Sequence, residues 1–202
     1  MNKLKLTTIF VFLTSVSLYG QINQSLSHLI DSLATEDQKW RGLMRQVDNK
    51  EIDTISRQQV NRIINETDSI NLFAVRQIFK SYGYPGYDKV GEESSNQFWL
   101  LVQHADKHPE FQDSVLNKMK TEANKKNASL PNYAYLVDRV KVNTNQLQIY
   151  GTQMKINGAG TSYEPKPVFE PEKLNERRRL VGLTTIEDYV NTMNERYYGT
   201  LK

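Results

Sequence analysis

The stretch from Phe98 to Phe111 constrains this chain most. Phe98-Trp99-Leu100-Leu101-Val102, the most apolar run beyond residue 20, passes directly into Gln103-His104-Ala105-Asp106-Lys107-His108, the densest group of ionisable side chains. At about 100° per residue, a helix puts Phe98, Leu101, Val102 and Ala105 on one face, while Trp99 and Leu100 widen the apolar surface. A helix apolar nearly all round must be buried, so this segment is expected at the centre of a helical domain. On the same geometry His104 falls beside Leu100 and Leu101, and Asp106 falls near Trp99, roughly 160° away. The two cannot pair with each other, and each needs a partner from elsewhere. Pro109 disfavours helical backbone at the residue before it, which places the helix end near Lys107. That ending weakens His104 and His108 as metal ligands one turn apart, and no cluster of zinc-type spacing stands beside them. No metal or cofactor is expected. His104 then reads either as a buried histidine tying helices together or as part of a site.

The 202 residues suffice for one domain with a real core. A hydrophobic fraction of 38% fits a domain with a polar surface. Cysteine is absent, which excludes disulfides, thiol nucleophiles and thiolate zinc sites. Residues 1–20 read as a secretory signal peptide: a basic start with Lys3 and Lys5, an apolar run from Leu6 to Leu18, and an exit at Tyr19-Gly20. The run is short for a membrane span. The mature chain is expected to begin near Gln21, to form a single domain over 21–202, and to work in the periplasm or outside the cell, with no integral membrane segment after cleavage. The formal charge of +3 falls to +1 once Lys3 and Lys5 are removed, so electrostatics give no reason to expect nucleic acid as a partner.

Helical periodicity dominates the remainder. An amphipathic helix is expected over Gln24–Val47, with Asp37 and Arg41 four residues apart at the edge of its stripe. That spacing suits a local ion pair or two groups facing a pocket. Two further helices are expected over Ser56–Glu66 and Ser69–Tyr82, separated by the capping residues Thr67-Asp68-Ser69 and closed by Gly83. The tyrosine-rich loop Tyr82–Gly91 reads as a connector or as the rim of a site. Pro109 starts another helix. From Val140, short alternating runs at Val140–Val142, Leu147–Tyr150 and Met154–Ile156, separated by polar turns, predict an antiparallel hairpin or three-stranded sheet near residues 139–169. Helices follow at Leu174–Leu180 and Ile186–Tyr197, the second with a capping box of Thr184 and Glu187. The expected class is therefore mainly α (α+β), a single helical domain with a small sheet.

Polar residues cluster at Asp138-Arg139, at Gln148, Tyr150 and Gln153, and at Arg177-Arg178. A guanidinium flanking the Leu174 and Val181 stripe must meet a carboxylate or an anionic ligand, and Asp138 is the nearest candidate by character. Gly151, within an otherwise strand-like run, suggests a bulge or a close backbone approach. The motifs Tyr82-Gly-Tyr-Pro85, Leu101-Val-Gln-His-Ala-Asp106, Ala134-Tyr-Leu-Val-Asp-Arg139, Gln148-Ile-Tyr-Gly-Thr-Gln153 and Arg177-Arg-Arg-Leu-Val-Gly-Leu183, in that order, resemble the bacterial family of unknown function DUF6624. The resemblance implies that these polar motifs belong to one shared site and supplies no reaction. Where that family has tryptophan in its Gly-x-Pro turn, this chain has Tyr84.

Two functions follow as expectations. In the first, the chain offers a polar pocket for a small polar or anionic ligand, or a structural network, with Asp37, Arg41, Arg139, Gln148, Tyr150, Gln153 and Arg177 as binding residues. In the second, it is a cofactor-independent hydrolase or lyase with His104 as general acid or base, Asp138 orienting it and Arg178 or Arg139 stabilising developing negative charge. No serine elbow, phosphate-binding glycine loop or His-Glu-x-x-His motif is present.

Overall fold

The computed structural model describes residues 22–199. Residues 1–20, expected from the sequence to be a signal peptide, lie outside the described residues. The domain is mainly helical, in the order α1 (Gln24–Asp48), α2 (Arg57–Tyr82), α3 (Tyr87–Val90), α4 (Glu92–Gln103), α5 (Pro109–Asn124), α6 (Leu130–Asn143), β1 (Met154–Ile156), β2 (Tyr163–Pro165), α7 (Leu174–Leu180) and α8 (Ile186–Tyr198). No helix among the described residues is long and apolar enough to cross a membrane.

Helix α4 lies at the centre, as its apolar run requires. Phe98, Leu101 and Val102 are almost wholly excluded from solvent. Around them pack α1 through Leu26, Ile30 and Ala34, α2 through Val75 and Ile78, α5 through Phe111, Val115 and Met119, and α6 through Leu136 and Val140. The Tyr82–Gly91 loop is a connector: Tyr84 is buried, with its ring edge-on to Phe98 at 5.7 Å. Gly83 ends α2 with φ at 69°, a backbone conformation that favours glycine.

Three boundaries differ from the sequence expectation, each for a local physical reason. Helix α2 runs unbroken through Thr67-Asp68-Ser69, because Ser69 Oγ donates to the Asn65 carbonyl one turn back instead of capping a new helix. The apolar stripe of Val60, Val75 and Ile78 therefore continues along one face. Helix α4 ends at Gln103, not near Lys107, with His104 as its C-cap. Its end carbonyls at Val102 and Gln103 also accept from Nε2 of the fully buried Gln112, at 3.2 and 3.1 Å. Residues Val140–Val142 are helical. Ser129 caps α6 by accepting from the Asn132 N–H, and Val137 and Val140 fall on its buried face, so tertiary packing overrides their strand preference.

The sheet consequently has two strands, with Met154 opposite Pro165 and Ile156 opposite Tyr163. Leu147–Tyr150 forms no strand and makes one isolated parallel bridge, Gln148 to Val168. The N-cap of α8 is Thr185, which accepts from the Asp188 N–H, so the capping pair is one residue later than expected.

The start of α2 supplies a first test. Ser56 Oγ accepts from the Gln59 N–H, and the Gln59 side chain accepts from the Ser56 N–H in return. Ser56→Ala removes half of this reciprocal cap and is expected to lower stability by about 1 kcal/mol, read as a small fall in Tm with an unchanged helical spectrum.

Candidate functional site

Because α4 stops at Gln103, His104 turns from the core toward a cleft instead of continuing the helix. Its Nδ1 lies 3.1 Å from Asp37 Oδ1 on α1. The Asp37 side chain is 1% exposed and that of His104 is 15% exposed. Burial pushes the Asp37 carboxyl upward, but the hydrogen bonds and charges of His104 and Arg41 outweigh it and hold the group below the ordinary aspartate value. Asp37 is therefore an ionised acceptor, and Nδ1 is the ring nitrogen that donates to it. Among the described residues no protein group bonds to Nε2. The imidazole lines a cleft of about 220 Å³ between α2 and the α4–α5 turn.

Arg41 joins the dyad to α2. Its Nε donates to Asp37 Oδ2 at 3.1 Å, and its Nη2 donates to Asp68 Oδ1. Gln38 Nε2 completes the Asp37 carboxylate at 2.8 Å. Asp68 lines the cleft together with Asn65, Ser69 and Leu72 of α2. Burial raises its carboxyl above the ordinary value, and Arg41 and His104 counter this only in part. Asp37, Asp68 and His104 each place a potential metal-ligand atom within 4.8 Å of the others. The Arg41 guanidinium bridges two of them, Asp37 and Asp68, and supplies positive charge to both carboxylates.

Asp106 lies in the turn beyond α4, outside the helix expected for it, and has a partner separate from that of His104. Arg139 Nε and Nη2 grip its two oxygens at 2.6 and 2.7 Å, and Asn143 Nδ2 donates at 2.9 Å. Burial works against the charge, but Arg139, Asn143 and Gln112 hold Asp106 below its ordinary value. Lys107 and His108 complete the rim of the cleft, with His108 Nδ1 3.4 Å from Glu110.

The remaining candidate residues gather elsewhere, around the 148–153 loop. Asp138 is fully buried. Its carboxylate accepts from the backbone N–H groups of Ile149 at 2.6 Å, Tyr150 at 2.9 Å and Thr152 at 2.9 Å, and from Thr152 Oγ1 at 2.9 Å. Burial dominates these bonds and raises its carboxyl. Gln148 bridges the same loop to the sheet, donating to the Gln153 and Lys166 carbonyls and accepting from the Gln153 N–H. The Gln153 side chain donates to Thr152 Oγ1. Arg177 donates to the carbonyls of Ile149, Phe169 and Glu170.

Arg178, 1% exposed, donates to the Thr184 carbonyl at 2.6 Å and the Tyr150 carbonyl at 2.5 Å, with its guanidinium 5.1 Å from the Tyr189 ring centroid. Among the described residues no carboxylate lies within salt-bridge distance of it, and burial lowers its pKa. Gly151 sits here at φ 68°, and a Cβ there would approach Ile186 Cδ1 to 3.0 Å, the close approach expected from the sequence.

The candidate residues thus divide. His104 lines the cleft with Asp37 and Arg41 bonded in turn behind it, and Arg139 holds Asp106 in the cleft wall. Asp138, Gln148, Tyr150, Gln153, Arg177 and Arg178 form a network tying the 148–153 loop to α6, α7 and the sheet. The partner that orients His104 is Asp37, not Asp138. Sequence reasoning missed Asp68, whose position between Thr67 and Ser69 mimics a cap. No apolar periodicity marks it as mid-helix, because the buried face of α2 beside Asp68 is carried by the polar Asn71.

Fold and site together define a mainly helical domain with a His-Asp pair at the mouth of a polar cleft. The chain belongs to DUF6624, a family of unknown function whose model matches residues 29–202. No curated protein and no solved structure matches it.

Proposed function

We propose that this is an exported protein, working in the periplasm or outside the cell, whose His104 cleft receives a small polar ligand. Export is supported by the basic start, apolar run and small-residue exit of residues 1–20. The observation that carries the binding reading is the His104 side chain: bonded through Nδ1 to buried Asp37, it lines the cleft with an Nε2 that no protein group among the described residues bonds. The acids of the cleft are matched by Arg41 and Arg139, which favours a polar ligand over a strongly charged one. The chain holds three histidines, and exposed His28 on α1 serves as an internal reference. With ¹⁵N-labelled histidine, a panel of monosaccharides, amino acids and small carboxylic acids is expected to include at least one compound that moves the His104 ring signals and leaves those of His28 in place. A panel that moves neither, at millimolar concentration, rejects the reading.

The Asp37–His104 hydrogen bond specifically favours a second reading, a cofactor-independent hydrolase or lyase with His104 as general acid or base. A buried carboxylate that fixes the tautomer and supports the imidazolium is the arrangement such chemistry uses.

A further inference from the structure

We propose that the outer face of α2 is a self-association surface, on which a second copy of this chain packs its own α2 antiparallel to the first. Along that face run Ile63, Glu66, Ile70, Phe73, Gln77 and Lys80, alternately three and four residues apart. This spacing keeps the side chains in one seam and is the pattern by which two helices pair. Val75 and Ile78 on the other side of α2 belong to the core, whereas Ile70 and Phe73, at the middle of the seam, are 67% and 69% exposed.

A scattered exposed apolar residue needs no explanation, but this pair stands beside a hole of its own character. Leu29 and Leu33 of α1, with Ile63 and Ile70 of α2, line a mainly apolar depression of about 390 Å³ that flanks the seam. One face of the molecule thus carries both a projecting phenyl ring and an apolar recess that such a ring can cover.

Charge selects the occupant and its direction. Glu66 and Lys80 lie on either side of the apolar pair, both exposed, and neither has a bonded partner among the described residues. In a parallel pair of helices each would oppose its own kind. A two-fold axis between Ile70 and Phe73 instead sets Ile70 against Phe73 of the second copy, the layering of an antiparallel pair. Glu66 then lies opposite Gln77 and within one turn of Lys80 of the second copy. The face is therefore its own complement: acid meets base at both ends, and each Phe73 reaches the other copy's recess. A lipid surface would take up the apolar pair but leave Glu66 without a counter-charge.

Sedimentation equilibrium of the purified protein reads the mass directly. Wild type is expected to reach the mass of two chains above about 10 µM, a free energy of association near that of a micromolar complex. Phe73→Glu is expected to weaken association by about 100-fold, with an unchanged helical spectrum because the side chain is exposed. Glu66→Lys and Lys80→Glu are each expected to weaken it by about tenfold, and the two together to return it to within about threefold of wild type. A wild type that stays a single chain at about 100 µM overturns the proposal. So does association that survives Phe73→Glu, which would lie on another face, and so does a double variant no tighter than either single one. If wild type stays monomeric and floats with phosphatidylcholine vesicles while Phe73→Glu does not, the seam docks a membrane surface and the proposal fails.

Discussion

Asp138→Ala is expected to be among the most destabilising single substitutions in this domain, lowering unfolding free energy by about 4 kcal/mol. The carboxylate of Asp138 is the common acceptor for three backbone N–H groups and one hydroxyl in the 149–152 segment. That segment has no strand pairing of its own beyond the single bridge at Gln148. Truncation leaves several donors without a partner in a site closed to water, at about 1–3 kcal/mol for each one that stays buried. The loop also fixes the carbonyls that receive Arg177 and Arg178, at Ile149 and Tyr150, so the attachment of α7 should loosen with it. Asp138→Asn keeps one acceptor oxygen but turns an amide toward the donors, and about half the loss is expected. Urea unfolding midpoints measure both. A midpoint for Asp138→Ala within about 0.5 kcal/mol of wild type, the range of a neutral surface change, would contradict the assignment of this residue to the loop anchor.

This anchor also shows where the sequence was readable. A helix depends on spacing within one segment, so α1, α5, α7 and the apolar face of α4 followed directly from periodicity. His104 and Asp106 each have their own partner, Asp37 and Arg139, although both lie beyond the end of α4 and the helical angles expected for them do not apply. What spacing cannot carry is the choice among partners distant in the chain. Asp138 and Arg178 have the right characters for an ion pair, yet each is satisfied by backbone groups of a loop whose path depends on Gly151 and on packing against Leu174 and Ile186. Asp68 was hidden for a different reason. Its neighbours Thr67 and Ser69 favour caps, and their local preference lost to one long helix whose buried face carries Val60, Asn71, Val75 and Ile78. Alternation at Val140–Val142 failed likewise: three residues are too few to fix a period, and Val140 is buried on the same helical face as Val137.

Arg41→Met should have a comparable effect on stability, and one that depends on pH. At neutral pH the substitution leaves the 1%-exposed Asp37 carboxylate with His104 and Gln38 as donors but without its cation, and it strips Asp68 of its only protein partner among the described residues. Breaking one side of a buried ion pair costs about 3–5 kcal/mol. Partial exposure of Arg41 and Asp68, at 24% and 28%, places the expectation at about 3 kcal/mol. The sign of the pH dependence follows from Asp37. Its folded pKa lies below its unfolded value, so in the wild type it contributes stability above the unfolded pKa that is lost as pH falls through the folded one. Without Arg41 the lowering influence weakens while burial remains, so the variant has less of this stability to lose. The two stability curves should converge as pH drops from about 6 to about 3, across the ordinary carboxylate range. Asp68, raised by burial, acts in the same sense, because protonation relieves the charge that Arg41 no longer balances. Thermal unfolding of both proteins across that range is the measurement. A gap that stays constant down to pH 3 would mean that Arg41 stabilises the domain by packing its aliphatic stem, and that the bridge between Asp37 and Asp68 carries no electrostatic weight.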